Sequence, residues 1–170
     1  AVALSPTLCG FGKMRRISLF GATGTIGDNA LQLVDLHPER FTIEVMSAHQ
    51  NVEKLVALAR RYQPKCLVIG DAESAALVKQ NLTDFSGDIL VGEAGLVEAA
   101  PRPCDVTVMA IVGFAGLKPA LAAAQLGHIL ALANKECLVA AGPLLMRQAR
   151  QHGTTVLPID SEHNAIFQLL

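Results

Sequence analysis

Hydrophobic and polar positions divide the chain into two alternating kinds of segment. Short, mostly apolar runs alternate with longer stretches in which apolar residues recur every three or four positions. The short runs are typical of buried parallel strands, and the longer stretches are typical of amphipathic helices. The pattern predicts strands over 16–20, 41–48, 66–69, 88–91, 105–111, 128–133 and 154–159.

Each predicted strand is followed by a predicted helix. The stretches 30–36, 52–63, 72–81, 93–100, 118–126, 138–152 and 162–170 have helical periodicity, and Gly142-Pro143 should interrupt the sixth helix. This alternation predicts a Rossmann-like, doubly wound α/β domain over 14–159, with a mostly parallel sheet and helices on both faces. Residues 1–13 are expected to be a tail, disordered or left from an expression vector. Ligands should bind at the carboxyl ends of the strands.

The first strand leads directly into a glycine turn with the sequence GATGTIG over 21–27. Gly21 permits a tight turn, Gly24 lets a pyrophosphate approach the backbone, and Gly27 lets the helix pack close to its strand. The free N–H groups and the dipole of the following helix favour a bound phosphate. A strand before and a helix after the turn indicate a dinucleotide site. The alternative is an ordinary glycine-rich turn.

Composition and charge narrow the range of partners. Apolar residues make up 51% of the 170 residues, aromatic residues 4%, and the net charge is −1. No basic block is present, which argues against nucleic acid and anionic membrane surfaces as partners. No uncharged apolar run is long enough to span a membrane. The four cysteines have no C-x-x-C spacing, so we expect buried thiols and a reducing cytoplasm.

The end of the second strand bears on the choice between NAD and NADP. An NAD site usually has an acidic residue here that binds the ribose hydroxyls, and none is present. This absence favours NADP by removing a repulsion against the 2′-phosphate. His49, Gln50 and Asn51 can donate hydrogen bonds but supply no fixed positive charge. A polar turn with Asn51 as a helix cap is an equally good interpretation.

Three other strand ends carry candidate groups. Small residues over 110–116 either admit a flat ligand or form a tight turn. Lys135 can bind a phosphate or polarise an oxygen, or it can pair with Glu136 on the surface. Asp160 and Glu162 alternate on one face of extended backbone and suit a hard cation such as Mg²⁺ or Mn²⁺. Their alternative role is to cap and complement the dipole of a helix N-terminus.

Three motifs together resemble 1-deoxy-D-xylulose 5-phosphate reductoisomerase. They are GATGTIG at 21–27, LANKE at 132–136 and DSEHNAIFQ at 160–168, in this order and at this spacing. That family uses NADPH and a divalent metal in the non-mevalonate isoprenoid pathway, and its members are much longer than this chain. The resemblance implies that 160–170 begin a truncated catalytic domain. It further implies a third metal carboxylate, a lid and phosphate-binding residues beyond Leu170, and a homodimer as the full-length protein.

The resemblance also assigns roles to individual residues. Lys135 and Glu162 are the implied catalytic residues, and both are implied to contact the sugar phosphate substrate together with Ser161. Asp160 and Glu162 are the implied ligands of Mg²⁺ or Mn²⁺, with Co²⁺ a further candidate metal. The residues implied to contact NADPH are Thr23, Gly24, Thr25, Ile26, His49, Gln50, Asn51, Asn134 and Glu136.

The implied reaction isomerises 1-deoxy-D-xylulose 5-phosphate and reduces the resulting aldehyde to 2-C-methyl-D-erythritol 4-phosphate. The chain departs from the family at His49-Gln50, where a glycine followed by a basic residue is often found. A short-chain dehydrogenase is one alternative, but that class needs Tyr-x-x-x-Lys, and the single tyrosine, Tyr62, is followed by Gln-Pro-Lys. A non-enzymatic cofactor sensor is the other alternative.

Overall fold

A computed structural model describes residues 14–159, and these residues alternate between strands and helices throughout. The strands are β1 (Arg15–Phe20), β2 (Phe41–Ser47), β3 (Cys66–Ile69), β4 (Asp88–Val91), β5 (Val106–Met109), β6 (Ile129–Leu132) and β7 (Thr155–Pro158). The helices are α1 (Thr25–Leu36), α2 (Val52–Tyr62), α3 (Ala72–Asn81), α4 (Gly92–Ala99), α5 (Leu117–Ala123) and α6 (Lys135–His152). A short 3-10 turn, Gly113–Gly116, precedes α5.

The strands form one seven-stranded sheet in the order β4-β3-β2-β1-β5-β6-β7. Every neighbouring pair is parallel. Because β1 pairs with β2 on one side and with β5 on the other, the order of the strands reverses at β1. The predicted doubly wound α/β fold is therefore confirmed, and its switch point lies between the carboxyl ends of β1 and β5.

Alternate side chains of the central strand supply two separate cores. Leu19 packs in the cluster that contains Leu31 of α1 and Leu55 of α2. Phe20, the next residue of β1, packs in a second cluster with Leu145 of α6. Successive side chains of a strand point to opposite faces of the sheet. Helices α1 to α3 consequently cover one face, and α4 to α6 cover the other.

The boundaries differ from the sequence prediction at the ends of strands. The predicted strand 105–111 ends at Met109, four residues before the 3-10 turn that starts at Gly113 with a φ of +70°. The predicted strand 128–133 ends at Leu132, and α6 begins at Lys135 rather than at residue 138. The predicted interruption of α6 is present, since Ala141 has non-helical backbone angles of −146° and 26° next to Gly142.

The cysteines that the structure describes are free thiols with different exposures. Cys66 and Cys137 are fully buried, and Cys104 is half-buried. Burial raises the pKa of Cys66 and of Cys137 to about 11 in each case. The prediction of buried thiols is thus confirmed for Cys66 and Cys137.

Two of the predicted segments, 1–13 and 162–170, lie outside the described residues. Within 14–159, no helix combines the length and the apolar character that crossing a bilayer requires.

Candidate cofactor site

The glycine turn between β1 and α1 has the geometry of a phosphate cradle. Gly21 has a φ of +92°, and a Cβ placed on it would lie 2.7 Å from the carbonyl oxygen of Ala110. A Cβ on Gly27 would lie 2.5 Å from the carbonyl oxygen of Gly21. A Cβ on Gly24 would meet nothing nearer than 3.7 Å. Gly21 and Gly27 are therefore required by the chain's own packing, whereas Gly24 borders open space.

The helix that starts in this turn has no side-chain cap. Gly24 is the N-cap of α1 and makes no side-chain cap hydrogen bond. Thr25 is exposed and Ile26 is half-buried, so the backbone at this end of α1 is accessible. Free N–H groups at an uncapped N-terminus attract an anion. Thr23, Gly24, Thr25 and Ile26 lie at this accessible end of α1, and their contact with the pyrophosphate stays a prediction.

Ser47, at the end of β2, supports the glycine turn and was missed by the sequence interpretation. Its hydroxyl oxygen accepts a hydrogen bond from the amide of Gly21 at 2.9 Å. Its carbonyl oxygen accepts one from the amide of Ala22 at 2.8 Å. Ser47 is only 2% exposed, so it contacts the glycine turn from the protein interior and stabilises it through these two hydrogen bonds. A polar residue at the end of an apolar strand was the available signal.

A mainly apolar cavity lies beside the turn at the carboxyl edge of the sheet. It is bordered by the ends of β2 and β3 and by the segments that follow β4 and β5. Its lining consists of Ser47, Ala48, His49, Val68, Ile69, Gly70, Gly92, Leu96, Ile111 and Ala115. An apolar slot next to a phosphate cradle suits a flat heterocyclic base. The segment after β5 contributes Ile111 and Ala115 to this lining.

The segment after β2 is exposed, as a ligand-contacting segment must be. His49, Gln50 and Asn51 all have exposed side chains. The Oδ1 atom of Asn51 accepts a hydrogen bond from the amide of Lys54 at 3.0 Å and caps α2. The predicted cap is therefore present, and it uses the side-chain oxygen of Asn51.

Lys54 brings a positive charge to the glycine turn that the sequence interpretation of the second strand end missed. Its Nζ donates to the carbonyl oxygen of Thr23 at 3.1 Å and lies 2.8 Å from Oδ2 of Asp28. Lys54 stands in the first turn of α2, three positions after Asn51. The packing of α1 and α2 on the same face of the sheet, rather than proximity in sequence, places its ammonium beside the turn.

Asn134 joins the start of α6 to the loop after β5. Its Oδ1 accepts from the amide of Cys137 at 2.9 Å, and its Nδ2 donates to the carbonyl oxygens of Ile111 at 2.5 Å and Gly113 at 2.7 Å. Asn134 is 2% exposed. A Cβ on Gly116 would lie 2.6 Å from Nδ2 of Asn134. The carboxamide is thus occupied by backbone groups, and it shapes the loop that borders the site.

Lys135 and Glu136 lie in the first turn of α6 at the same edge of the sheet. Lys135 is exposed and Glu136 is half-buried. No ion pair joins them in the described part of the chain, so the surface pair considered above is not formed. Their position directly after Asn134 places them beside the loop that follows β5.

Electrostatics at this edge include one carboxylate that is held in its charged form. The amide of Ser74 donates to Oδ1 of Asp71 at 2.7 Å, and this hydrogen bond lowers the pKa of Asp71. The nearby imidazole of His49 contributes a smaller lowering. Asp71 therefore stays ionised at neutral pH beside the exposed segment after β2.

The remaining predicted site residues, Asp160, Ser161 and Glu162, lie outside the described residues. Within 14–159, no group of three or more His, Cys, Asp or Glu side chains is arranged to hold a metal ion.

Comparison with known proteins identifies the family. The family model of 1-deoxy-D-xylulose 5-phosphate reductoisomerase matches residues 17–142. The chain belongs to the 1-deoxy-D-xylulose 5-phosphate reductoisomerase family. The reductoisomerase of Ralstonia nicotianae is 50% identical over 160 residues, which are 92% of this chain and 41% of that protein. The reductoisomerase of Rhodospirillum centenum is 47% identical over 156 residues, or 92% of this chain and 39% of that protein.

Solved reductoisomerase structures have the same fold. The Zymomonas mobilis enzyme in complex with NADPH is 44% identical, with a TM-score of 0.89, over 93% of this chain and 42% of that one. A reductoisomerase in complex with NADPH, fosmidomycin and magnesium is also 44% identical, with a TM-score of 0.87. The match covers 92% of this chain and 39% of that one. The chain thus spans about two fifths of the length of the reductoisomerases it matches.

Proposed function

We propose that this chain is the NADPH-binding part of a reductoisomerase that converts 1-deoxy-D-xylulose 5-phosphate to 2-C-methyl-D-erythritol 4-phosphate. The observation that carries the proposal is the cradle at Gly24. This glycine borders open space at an uncapped helix N-terminus, while Gly21 and Gly27 are closely packed. The family and the NADPH complex of the Zymomonas mobilis relative support the choice of cofactor.

The described residues fit the parts of a dinucleotide. The amides of 23–26 would hold the pyrophosphate at the positive end of α1. The apolar cavity beside His49 and Gly70 would take the adenine, because it combines small residues with apolar walls. The loop fixed by Asn134 would border the nicotinamide half, with Glu136 beside it. NADPH, when bound, supplies the hydride that reduces the aldehyde.

The chain's own residues would then position the substrate next to the cofactor. Lys135, exposed at the start of α6, can bind a substrate oxygen or phosphate through its ammonium group. Ser161 and Glu162 are proposed to contact the substrate, and Asp160 and Glu162 are proposed to ligate Mg²⁺, Mn²⁺ or Co²⁺. Carboxylate oxygens are the ligands that these cations prefer, which supports the assignment from the residue types alone.

Calorimetric titration of the 170-residue chain with NADPH and with NADH tests the cofactor assignment. NADPH should bind with equal or higher affinity than NADH, because no acidic side chain at 47–51 repels a 2′-phosphate. A clear preference for NADH, or no binding of either nucleotide, would contradict the proposal.

The same chain should bind the cofactor and yet show no turnover. Mg²⁺ needs near-octahedral oxygen coordination, and two carboxylates alone do not provide it. In a full-length reductoisomerase of this sequence, Asp160→Asn and Glu162→Gln should each lower kcat/KM roughly a hundredfold or more, since Lewis-acid stabilisation contributes several kcal/mol. NADPH affinity should change little. Mutants that retained full activity and lost NADPH would show that the pair caps a helix instead.

We also propose that the full-length protein is a homodimer in the cytoplasm. The free, buried thiols of Cys66 and Cys137 suit a reducing compartment. Light scattering on the full-length protein tests the dimer, and a monomeric mass would contradict it.

A further inference from the structure

Lys54 occupies a position that its place in the sequence does not suggest. It belongs to α2, yet its Nζ lies 3.1 Å from the carbonyl oxygen of Thr23 in the glycine turn. The side chain is 33% exposed, so solvent and a ligand can reach the ammonium. A lysine ammonium has three N–H donors, and Thr23 and Asp28 accept two of them. One donor remains for a further acceptor.

The backbone around Lys54 is fixed by Asn51. The cap bond from the amide of Lys54 to Oδ1 of Asn51 holds the first turn of α2 directly after His49-Gln50. The side chain of Lys54 consequently runs from the start of α2, next to Asn51, to the glycine turn, where its ammonium lies. In a dinucleotide site of this fold, the adenosine ribose lies between these two segments, and its 2′-substituent is read there.

We propose that the ammonium of Lys54 recognises the 2′-phosphate of NADPH, an inference that rests on the proposed function. In this proposal Asp28 restrains the ammonium. His49, Gln50 and Asn51 carry no fixed charge, and Asn51 already uses its side-chain oxygen on α2. Lys54 supplies the missing charge from the helix instead. Asp28 orients the ammonium at 2.8 Å but competes with the phosphate for it.

A purely structural role for the pair makes the opposite prediction for one variant. If Lys54 and Asp28 only fastened α2 to the glycine turn, removing either residue would loosen the turn and weaken both nucleotides. If Lys54 binds the 2′-phosphate, removing Asp28 frees the ammonium and takes a negative charge away from the phosphate. Lys54→Met and Asp28→Asn should then change NADPH affinity in opposite directions.

The test is calorimetric titration of the 170-residue chain and its variants with NADPH and NADH. Lys54→Met should lower the affinity for NADPH about tenfold, because one charge-assisted hydrogen bond is lost. The affinity for NADH should stay within about twofold of the wild type. Asp28→Asn should raise the affinity for NADPH about threefold and leave the affinity for NADH unchanged. Lys54→Arg keeps the charge and should retain most of the NADPH affinity. In the wild type, added salt should lower the affinity for NADPH more than the affinity for NADH. In Lys54→Met, added salt should lower the two affinities equally.

Matched controls remove the same charges far from the site. Lys65 is exposed and precedes β3 at the opposite edge of the sheet, so Lys65→Met should alter neither affinity. Asp35 pairs with Arg61 near the far end of α1, and Asp35→Asn should also have no effect on binding.

Three outcomes would overturn the inference. Lys54→Met could weaken NADPH and NADH equally, Asp28→Asn could weaken NADPH, or Lys54→Met could leave NADPH affinity unchanged. If the wild type bound neither nucleotide, the proposed function itself would fail. Should Lys54→Met not fold by circular dichroism, Asp28→Asn and Lys54→Arg still decide the question.

Discussion

The side-chain amide of Asn134 donates to the carbonyl oxygen of Gly113 at 2.7 Å, across 21 positions of sequence. The same carboxamide caps α6 through the amide of Cys137. One buried residue therefore holds both the start of α6 and the loop after β5. The loop has few alternatives, because Gly113 has a positive φ and Gly116 packs against Asn134.

Asn134→Ala should lower the free energy of unfolding by about 2 kcal/mol. The variant loses a helix cap, worth about 1 kcal/mol, and leaves two backbone carbonyls without their donor. NADPH affinity should fall as well, because the loop loses its anchor. Urea denaturation and nucleotide titration measure the two effects. Asn81 makes one exposed bond to the carbonyl of Leu77, so Asn81→Ala is the control and should cost far less.

Gly27 and Gly24 should respond to alanine in different ways. A Cβ at Gly27 would lie 2.5 Å from the carbonyl oxygen of Gly21, so Gly27→Ala should destabilise the fold by about 2 kcal/mol or more. A Cβ at Gly24 has room within the protein but stands where a phosphate would approach. Gly24→Ala should therefore keep its thermal stability and lose NADPH affinity at least about tenfold. Equal loss of stability in both variants would contradict the cradle.

Gly142 provides the control for these two substitutions. A Cβ there meets nothing within 4 Å, and the residue lies in α6 far along the chain from the glycine turn. Gly142→Ala should leave both stability and nucleotide affinity essentially unchanged.

His128 should make stability depend on pH below its ordinary pKa of about 6.5. Burial lowers the pKa of His128 in the folded protein, although Asp105 opposes this shift. Between the two pKa values the unfolded chain binds more protons than the folded one, so stability rises with pH there. Stability is retained above about pH 6.5 and is lost as pH falls below it.

His128→Gln removes this titration and should flatten the pH dependence below about pH 6.5. Glutamine can still meet the hydroxyl of Thr107, which bonds Nε2 of His128 at 2.7 Å. Urea unfolding at several pH values measures the slope. His152→Gln, which changes an exposed histidine at the end of α6, should keep the wild-type slope.

Gln50→Lys should tighten NADPH selectively over NADH. Gln50 is exposed directly after β2, and a lysine there would add a charge-assisted hydrogen bond worth about 1.5–3 kcal/mol at best. Competition with NADH in the titration measures the selectivity. Gln80→Lys, exposed in α3, is the matched control and should leave it unchanged. Equal tightening of both nucleotides would point to a general effect of charge.

Most of the fold and the glycine turn could be predicted from the sequence, because both depend on local patterns. The apolar run of β1 and the spacing of Gly21, Gly24 and Gly27 together indicate strand, turn and helix. The ends of the elements are less predictable: apolar periodicity predicts a start of α6 at residue 138, whereas the helix begins at Lys135. Apolar periodicity does not reveal a side-chain cap. Because Asn134 caps the helix, α6 begins at Lys135, before the first apolar residue of the periodic pattern.

The sequence by itself determined the order of strands and helices, the glycine turn and the absence of an acid after β2. The tertiary structure decided which distant side chains meet there. Lys54 and Thr23 are 31 positions apart, and Ser47 and Gly21 are 26 positions apart. Apolar periodicity describes one helix or strand at a time. These contacts instead depend on the parallel pairing of β1 with β2 and on the packing of α2 on the same face of the sheet as α1. Only that packing brings the ammonium of Lys54 to the glycine turn.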